Sequence, residues 1–255
     1  MLPKISVITP SYNQGQFIRQ TVESVLSQEY PNLEYIVVDG LSTDNTLDVL
    51  ASYSVDQLKL ITEKDRGQTD AINKGIRLAT GDILCWLNSD DIFLPGALQT
   101  VGQYFAQHPD SCWLTGDCQI INEVGKPIQG PIQLYKRLLR SLVPAFYLGL
   151  TNAICQPSTF WLRSAHQTLG MLDEQLHYTM DYDWWLRLNK LHSPAILTQP
   201  LAAFRIHSQS KGGSLYGKQF AEDYATLCRY NTSVPLQHLH ALHNQLTVSA
   251  YRLLK

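Results

Sequence analysis

The first half of the chain alternates between two hydrophobic rhythms. Short apolar, β-rich runs occupy Lys4 to Thr9, Glu34 to Asp39, Leu58 to Thr62 and Asp82 to Leu87. Between them lie stretches of helical spacing: Phe17, Val22, Val25 and Leu26, then a segment through Tyr53, then Thr69 to Ala79, then Pro95 to about Gln107. Short buried runs bounded by turn residues predict strands, and the 3.6-residue period predicts helices that cover them. A β-α-β-α order of this kind predicts a largely parallel sheet with helices on both faces. Punctuation sharpens the boundaries. Asn13 with Gln16 three residues on predicts a capped helix start, and Pro31-Asn32 a break. The turn Ser42 to Asn45 is placed to cap the second helix, Gly81 to close the third, and Pro95 sits early in the fourth.

The second half is less regular. Trp113 to Ile121, the turn Asn122-Glu123-Val124-Gly125 and Lys126 to Ile128 predict a hairpin. Gln133 to Leu150 is amphipathic, with Lys136, Arg137 and Arg140 among leucines. Gln156 to Leu162 reads as a strand, Asp181 to Lys190 as a helix with two tryptophans, Ala195 to Ile206 as extended, and the tail from about Gln219 as helical. No repeat or low-complexity linker marks a clean boundary. The organisation expected is a main domain over residues 1–215, with a ligand-binding half over 1–110 and a second half over 111–215, followed by a helical tail over 216–255.

Composition narrows the class. The chain has 255 residues, 44% hydrophobic and 16% charged, as a globular protein requires. A net charge of -2 gives no reason to expect nucleic acid as a partner. Five cysteines, at 85, 112, 118, 155 and 228, form no C-x-x-C pair and are odd in number. They are expected to be reduced, mostly core thiols. No signal-peptide pattern precedes Lys4 and no apolar run is long enough to span a bilayer, so a cytoplasmic location is expected.

In an open α/β sheet, ligands bind beyond the carboxyl ends of the strands. Polar residues gather at four such ends: Thr9-Pro10-Ser11-Tyr12-Asn13, Asp39-Gly40, Glu63-Lys64-Asp65-Arg66-Gly67 and Asn88-Ser89-Asp90-Asp91. Asp90 and Asp91 are the sharpest feature. Adjacent carboxylates repel, a divalent cation relieves the repulsion, and oxygen ligands suit Mg²⁺ or Mn²⁺ bridging to phosphates. A helix cap ahead of Pro95 is the plainer alternative. Asp39 suits a base or ribose contact, or a turn before Gly40. A dinucleotide-binding dehydrogenase requires a glycine-rich turn after the first strand, and Gly15 comes too late for it. Asp181-Tyr182-Asp183-Trp184-Trp185 offers a general base among aromatics that raise its pKa and hold a sugar face, or a cap ahead of a core helix. His207, followed by Ser208, Gln209, Ser210, Lys211 and two glycines, suits a phosphate-facing loop, with a plain surface loop as its alternative.

Together these segments resemble the family-2 inverting glycosyltransferases of GT-A fold. Val7 to Asn13 looks like that family's opening strand. Val37-Val38-Asp39-Gly40-Leu41-Ser42-Thr43-Asp44-Asn45-Thr46 is similar to its V-D-G-x-S-T-D-x-T signature. Asp65-Arg66-Gly67 with Asp70 to Gly75 looks like its third element, and Trp86 to Asp91 resembles its D-x-D-type metal motif. Met180 to Arg187 is similar to its E-D-x-x-x-W-L-R base motif, and Arg205-Ile206-His207 to its late R-x-H element. Asn88 stands where the family often has the first Asp, and Met180 where it often has Glu, which leaves Asp181 as the base. The resemblance spans roughly residues 4 to 211.

The resemblance implies an α/β fold of GT-A type: a Rossmann-like, mostly parallel sheet and a smaller mixed acceptor-side region. It implies that Thr9, Pro10, Tyr12 and Asp39 hold the nucleotide base, with Asp65 and Asn73 nearby. Asn88, Ser89 and Asp90 would meet the ribose and the metal-bound diphosphate, Asp90 and His207 would ligate Mn²⁺ or Mg²⁺, and Asp181 would deprotonate the acceptor. The partners implied are a nucleotide-sugar donor, a UDP-sugar first, and a glycan or lipid-linked acceptor; a homodimer is compatible with the reading. A protein that binds nucleotide-sugars without transfer is the second reading. A nucleotidyltransferase is the third, though the glycine- and arginine-rich loop it wants after strand one is absent. Leu138, Leu139, Leu142, Phe146 and Tyr147 would serve a peripheral membrane contact. Pro144 interrupts that pattern and favours a helix lining the acceptor side.

Overall fold

Strand β1 (Ile5–Ser11) is buried along its whole length, and β2 (Leu33–Asp39) along its last five residues. Both lack the in-out alternation of a half-exposed strand, which places them inside a parallel sheet. β1 pairs in parallel with β2 and with β4 (Ile83–Trp86), and β2 with β3 (Leu58–Thr62). The register sets Ser11 beside Asp39 and Asp39 beside Thr62, so three strand ends open on one crevice. This computed structural model describes residues 1–53, 58–128, 130–142, 147–208, 210 and 216–253.

Helices α1 (Ile18–Leu26), α2 (Thr46–Ala51), α3 (Gln68–Leu78) and α4 (Ala97–Gln107) follow the strands. α3 lies close on β1 because Gly75 has no side chain: a Cβ there would fall 2.3 Å from Ile8 Cγ2. Two capping expectations and one helix end are corrected. α1 starts at Phe17 with no side-chain cap, because Asn13 Oδ1 instead accepts the Thr43 N–H at 2.8 Å and Gln16 reaches Glu123 at 2.8 Å. α2 ends at Ala51, short of Tyr53, and its first-turn donor at Thr46 is met by Asp44 Oδ1 at 3.0 Å. α3 ends at an extended Ala79, while Gly81 is the point where the backbones of Lys4 and Ser6 pass close.

The second half continues the same sheet. The order is β3-β2-β1-β4-β8-β6-β9-β5, with β5 (Ile92–Phe93), β6 (Trp113–Ile121), β8 (Thr159–Leu162) and β9 (Ala195–Arg205). The short β7 (Pro127–Ile128) pairs antiparallel with β6, closing the expected hairpin. β8 is antiparallel to both β4 and β6, β5 is antiparallel to β9, and β6 and β9 are parallel. β5 belongs to the first half by sequence but pairs with the last strand of the second. The stretch from Gln156 opens with a 3-10 turn, Gln156–Ser158, before β8 begins.

Helices α5 (Gly130–Leu142), α6 (Tyr147–Leu150), α7 (Ala165–Leu169) and α8 (Met180–Leu191) flank this half. The amphipathic stretch over 133–150 is thus two helices. Pro144 and Phe146 lie outside the described residues, as do Gln209, Lys211 and the two glycines after it, and the side chains of Leu142 and Tyr147. Leu138 is exposed and Leu139 packs on the core. The helical tail is two helices, α9 (Tyr216–Tyr230) and α10 (Val234–Leu253). α9 docks on α8: Glu222 accepts the N–H groups of His177, Tyr178 and Thr179 at 2.7–3.1 Å, in the turn that leads into α8. Tyr230 donates to Asp183 at 2.5 Å. Among the described residues, no helix is long and apolar enough to cross a membrane.

Two further expectations change. Cys118 and Cys155 form a disulfide between β6 and the turn before β8, while Cys85, Cys112 and Cys228 are free. The pair is 37 residues apart in sequence, so spacing gave no hint of it. Trp184 and Trp185 present no sugar face. Both are fully buried, and Trp185 stacks between Trp86 and Trp113 at 5.6 and 5.8 Å. Packing of two indoles in the core outweighs their use as an exposed platform.

Candidate active site

The donor-side crevice is laced together by the polar residues of the second strand-end loop. Asn13 N–H donates to Ser42 Oγ at 2.8 Å, Gln14 N–H to Thr46 Oγ1 at 2.8 Å, and Gly15 N–H to Asp44 Oδ2 at 3.0 Å. Asp39 is fully buried and accepts from Ser42 N–H and Oγ at 2.8 and 2.7 Å. Much of the S-T-D-x-T signature therefore acts on the backbone of the first loop. Asn13 and Leu41 are held at φ 52° and 66°, left-handed conformations that L-residues rarely adopt and that tend to gather at binding sites.

The nucleotide-facing candidates separate by what they already touch. Thr9 is fully buried and its Oγ1 is 3.0 Å from Tyr35 Oη; Pro10 is buried beside it. Ser11 Oγ is buried without a partner, and Tyr12 is 57% exposed at the mouth of the crevice. Asp65 lies over Gly40, where a Cβ would fall 2.3 Å from its Oδ2, so the glycine lets the carboxylate approach Asp39. Asn73 differs. Its amide donates to Leu172 O and Glu174 Oε1 and accepts from Leu172 N–H, so its bonds hold α3 to the 171–174 loop rather than a free ligand position.

The loop after β4 carries the next group. Asp91 is fully buried; it accepts Arg205 N–H at 2.8 Å and Asn88 Nδ2 at 3.2 Å. Burial, then the neighbouring Asp90 charge, hold its carboxyl well above the usual range. It is a structural anchor, which corrects the picture of two equivalent carboxylates awaiting a cation. Asp90 points the other way, and its Oδ2 lies 3.0 Å from His207 Nε2. Ser89 is buried, and its carbonyl accepts the Thr21 hydroxyl at 2.9 Å. Arg205 clasps the loop: Nε donates to Asp90 O at 2.8 Å, Nη1 to Glu123 O at 2.9 Å and Nη2 to Gln20 Oε1 at 2.7 Å. His207 is seated on Phe17, ring centroids 4.6 Å apart.

Asp90 and His207, a carboxylate and an imidazole already converging, suit a divalent cation. Among the described residues no third His, Cys, Asp or Glu joins them. The remaining ligands would be water and phosphate oxygens, the usual pattern for Mg²⁺.

Asp181 occupies the first turn of α8 and lines a cavity of about 790 Å³. Its Oδ1 accepts Tyr182 N–H at 2.7 Å and its Oδ2 accepts Asn152 Nδ2 at 3.3 Å. Burial pushes its pKa up to about 6, with Asp223 adding to the rise, while those two hydrogen bonds and Lys136 oppose it. Burial in turn lowers the Lys136 pKa. A carboxyl with a pKa near 6 can take a proton from an attacking group at neutral pH, as a general base must.

Gln156 joins the two regions. It lines the Asp181 cavity, its Nε2 donates to Trp86 O at 2.8 Å, and its Oε1 accepts Asn88 Nδ2 at 3.0 Å. Asn88 Oδ1 accepts Gln68 Nε2 at 2.8 Å. An amide at 88 thus serves a network of amides, a role a carboxylate there could not fill toward Gln156 Oε1 or Asp91. Sequence reasoning missed Gln156, Asn152 and Lys136. A polar residue before a proline, between a cysteine and a strand, carries no period or motif that would single it out.

The family model for glycosyl transferase family 2 matches residues 6–169, which take in the donor crevice and the loop at Asp90. The chain belongs to that family. An uncharacterized glycosyltransferase of Rickettsia prowazekii is 29% identical over 213 residues, 81% of this chain; the chain spans 65% of that relative's length, less than two thirds. The mannosyltransferase of Pyrobaculum calidifontis, solved with GDP-Man and Mn²⁺, superposes with a TM-score of 0.73 at 21% identity, over 95% of this chain and 70% of that one. Staphylococcus aureus TarS 1–349, solved with UDP-GlcNAc, gives 0.71 at 17% identity, over 96% and 73%. These superpositions establish the GT-A-type fold.

Proposed function

We propose that this chain transfers a sugar from a nucleoside-diphosphate sugar to an acceptor hydroxyl with inversion at the anomeric carbon. The observation that carries the reading is Asp181: a carboxyl with a raised pKa lines a cavity that Gln156 joins to the loop of Asp90. The family to which the chain belongs supports it, as do the donors bound by the two superposed proteins.

The chemistry is a single in-line displacement. The acceptor oxygen forms a bond to the anomeric carbon while the bond to the diphosphate oxygen breaks, and the nucleoside diphosphate leaves with the electron pair. Asp181 takes the acceptor proton, and Asn152 holds the carboxylate in place. Asp39, Asp65 and the Thr9–Tyr12 loop bind and orient the nucleotide. A divalent cation, Mn²⁺ or Mg²⁺, would be held by Asp90 and His207 and would neutralise charge on the diphosphate. No enzyme nucleophile is needed, hence inversion. A UDP-sugar is the donor proposed and a glycan or lipid-linked hydroxyl the acceptor, in cell-surface polysaccharide or glycolipid synthesis at the cytoplasmic side.

The test is a thermal-shift panel of nucleoside diphosphates with Mn²⁺, Mg²⁺ or EDTA, on the native chain and on Asp90→Ala. Binding to the folded state raises Tm by mass action. A shift with one nucleotide that needs metal in the native chain and is lost in Asp90→Ala is the expected outcome. A metal-independent shift, unchanged in Asp90→Ala, overturns the ligand assignment. Release of nucleoside diphosphate from a nucleotide-sugar separates transfer from mere binding, and release of pyrophosphate would point to a nucleotidyltransferase.

A further inference from the structure

The tail helices bring a second carboxylate to the Asp181 cavity. Asp223 of α9 lines that cavity and is only 6% exposed. Its two oxygens are used unequally. Oδ1 accepts Asn244 Nδ2 at 2.9 Å and lies 2.5 Å from His240 Nε2, both on α10. Oδ2 takes no hydrogen bond or ion pair among the described residues. An ionised carboxylate offers acceptor positions on both oxygens, and leaving one of them bare in a buried place is costly unless a ligand completes it. The mount behind Asp223 is firm. His240 is fully buried, its Nδ1 lies 3.2 Å from Gly149 O, and its ring stacks at 6.2 Å on Tyr182, whose N–H donates to Asp181. One connected unit thus carries both carboxylates and fixes the bare oxygen relative to Asp181.

Charge decides what can enter. Of the charged residues that line the cavity, Arg137 is committed to Asp117 at 2.5 Å. Asp181, Asp223 and Lys136 remain. An anionic ligand would meet two carboxylates, and a cationic one would meet the Lys136 ammonium, whose charge already acts on Asp181. Among the described residues no group of three His, Cys, Asp or Glu could hold a metal ion. A neutral ligand that carries hydroxyl groups suits all three side chains, because a hydroxyl donates to a carboxylate and accepts from an ammonium.

We infer that Asp223 binds the acceptor through a second hydroxyl, beside the one that Asp181 deprotonates, so that the accepting group is a neutral polyhydroxyl ring, a sugar and not a lone alcohol. The inference rests on the reading of the cavity as the acceptor site of a transferase. It makes the tail, which lies beyond the family-matched residues 6–169, a source of acceptor specificity. A site built to bond a hydroxyl rejects the analogue that lacks it, because its own buried acceptor is then left unpaired.

Saturation-transfer NMR on the full chain tests this. The probes are the methyl glycosides of glucose, galactose, mannose, rhamnose and N-acetylglucosamine, and cyclohexanol as a ring with a single hydroxyl. At least one glycoside should bind, and cyclohexanol should not. Among the deoxy analogues of the bound glycoside, one should bind about ten- to a hundredfold more weakly, as the loss of a hydrogen bond to a charged group implies. Asp223→Asn keeps an oxygen for His240 and Asn244 but removes the charge. It should weaken the parent glycoside about tenfold and leave that deoxy analogue at its native affinity. A substitution that merely loosened the tail would weaken both alike, and that result overturns the inference. So does binding of no glycoside, equal binding of cyclohexanol, or a deoxy series that all binds like its parent. Should Asp223→Asn not fold, the deoxy series and cyclohexanol on the native chain carry the test. The measurement needs no donor turnover, so its failure strikes Asp223, whereas glycoside binding without any transfer strikes the transferase reading.

Discussion

The proposed donor crevice and the proposed acceptor cavity are built by different means. In the crevice, the loop after β1 is held by residues 29 to 32 positions away, in the loop after the neighbouring strand. Parallel pairing of β1 and β2 brings those loops together whatever the rest of the chain does. The cavity around Asp181 has no such unit. Asn152 reaches Asp181, a disulfide ties Cys155 to β6, Gln156 reaches back 70 residues to Trp86, and Glu222 holds the turn into α8 from the tail. The contrast teaches that the proposed nucleotide site rests on a local, repeated supersecondary device, whereas the proposed base, Asp181, rests on a convergence of distant segments.

Substitutions can break this comparison or sharpen it. The largest effect is expected for Asp181→Asn, which should lower the transfer rate about 10²- to 10⁴-fold, roughly 3–5 kcal/mol of barrier. The nucleotide-induced thermal shift should stay, since the crevice makes no use of this residue; transfer at the native rate would remove Asp181 from the mechanism.

Cys118→Ser comes next. Closing a loop of 37 residues constrains the unfolded chain, so losing the bridge should cost about 2–4 kcal/mol in urea unfolding. Dithiothreitol should weaken the native chain by a similar amount and leave the variant unaffected. If the variant lost nucleotide binding while remaining folded, the independence of the two regions would fail.

The smallest effect is in pH. With a pKa of about 6, Asp181 loses its base function as pH falls, so the rate should drop about tenfold per unit below that value and be flat above it. Because the folded-state pKa lies above the unfolded one, the native state binds the extra proton between about pH 4 and 6. Stability therefore falls as pH rises through that window, and Asp181→Asn should remove that component of the slope. A rate profile without a limb near 6 would mean that another group carries the proton.

The same contrast explains what the sequence disclosed. Buried runs such as Ile5–Ser11 and Ile83–Trp86, with glycine and polar loops between them, made the parallel sheet and its crevice legible, because strand and helix periods are local signals. Motif order singled out Asp39, Asp90, Asp181 and His207 as candidates. It did not separate Asp90 from Asp91, whose roles diverge only when Arg205 N–H arrives at one of them. Nor did it reveal the disulfide, the hold of Glu222 on the turn into α8 or the amides at Asn88 and Gln156. Each joins segments that share no period and no motif, so only the tertiary structure brings them together. Capping positions failed for a related reason: Asn13 and Gln16 found partners in other loops, and tertiary bonds displaced the local ones.

The clasp of Arg205 on the Asp90–Asp91 loop has a consequence for the order of events during synthesis. Asp91 leaves the ribosome 114 residues ahead of the backbone N–H that holds it, and Asp90 117 residues ahead of His207. An emerging chain can assemble β1 to β4 early from neighbouring segments, but β5 must wait for β9 to pair. Contacts so distant form late, after the loop-closure entropy between them has been met. The nascent protein thus gains the crevice beyond β1 to β3 before the Asp90–His207 pair, which closes only after the last strand has formed.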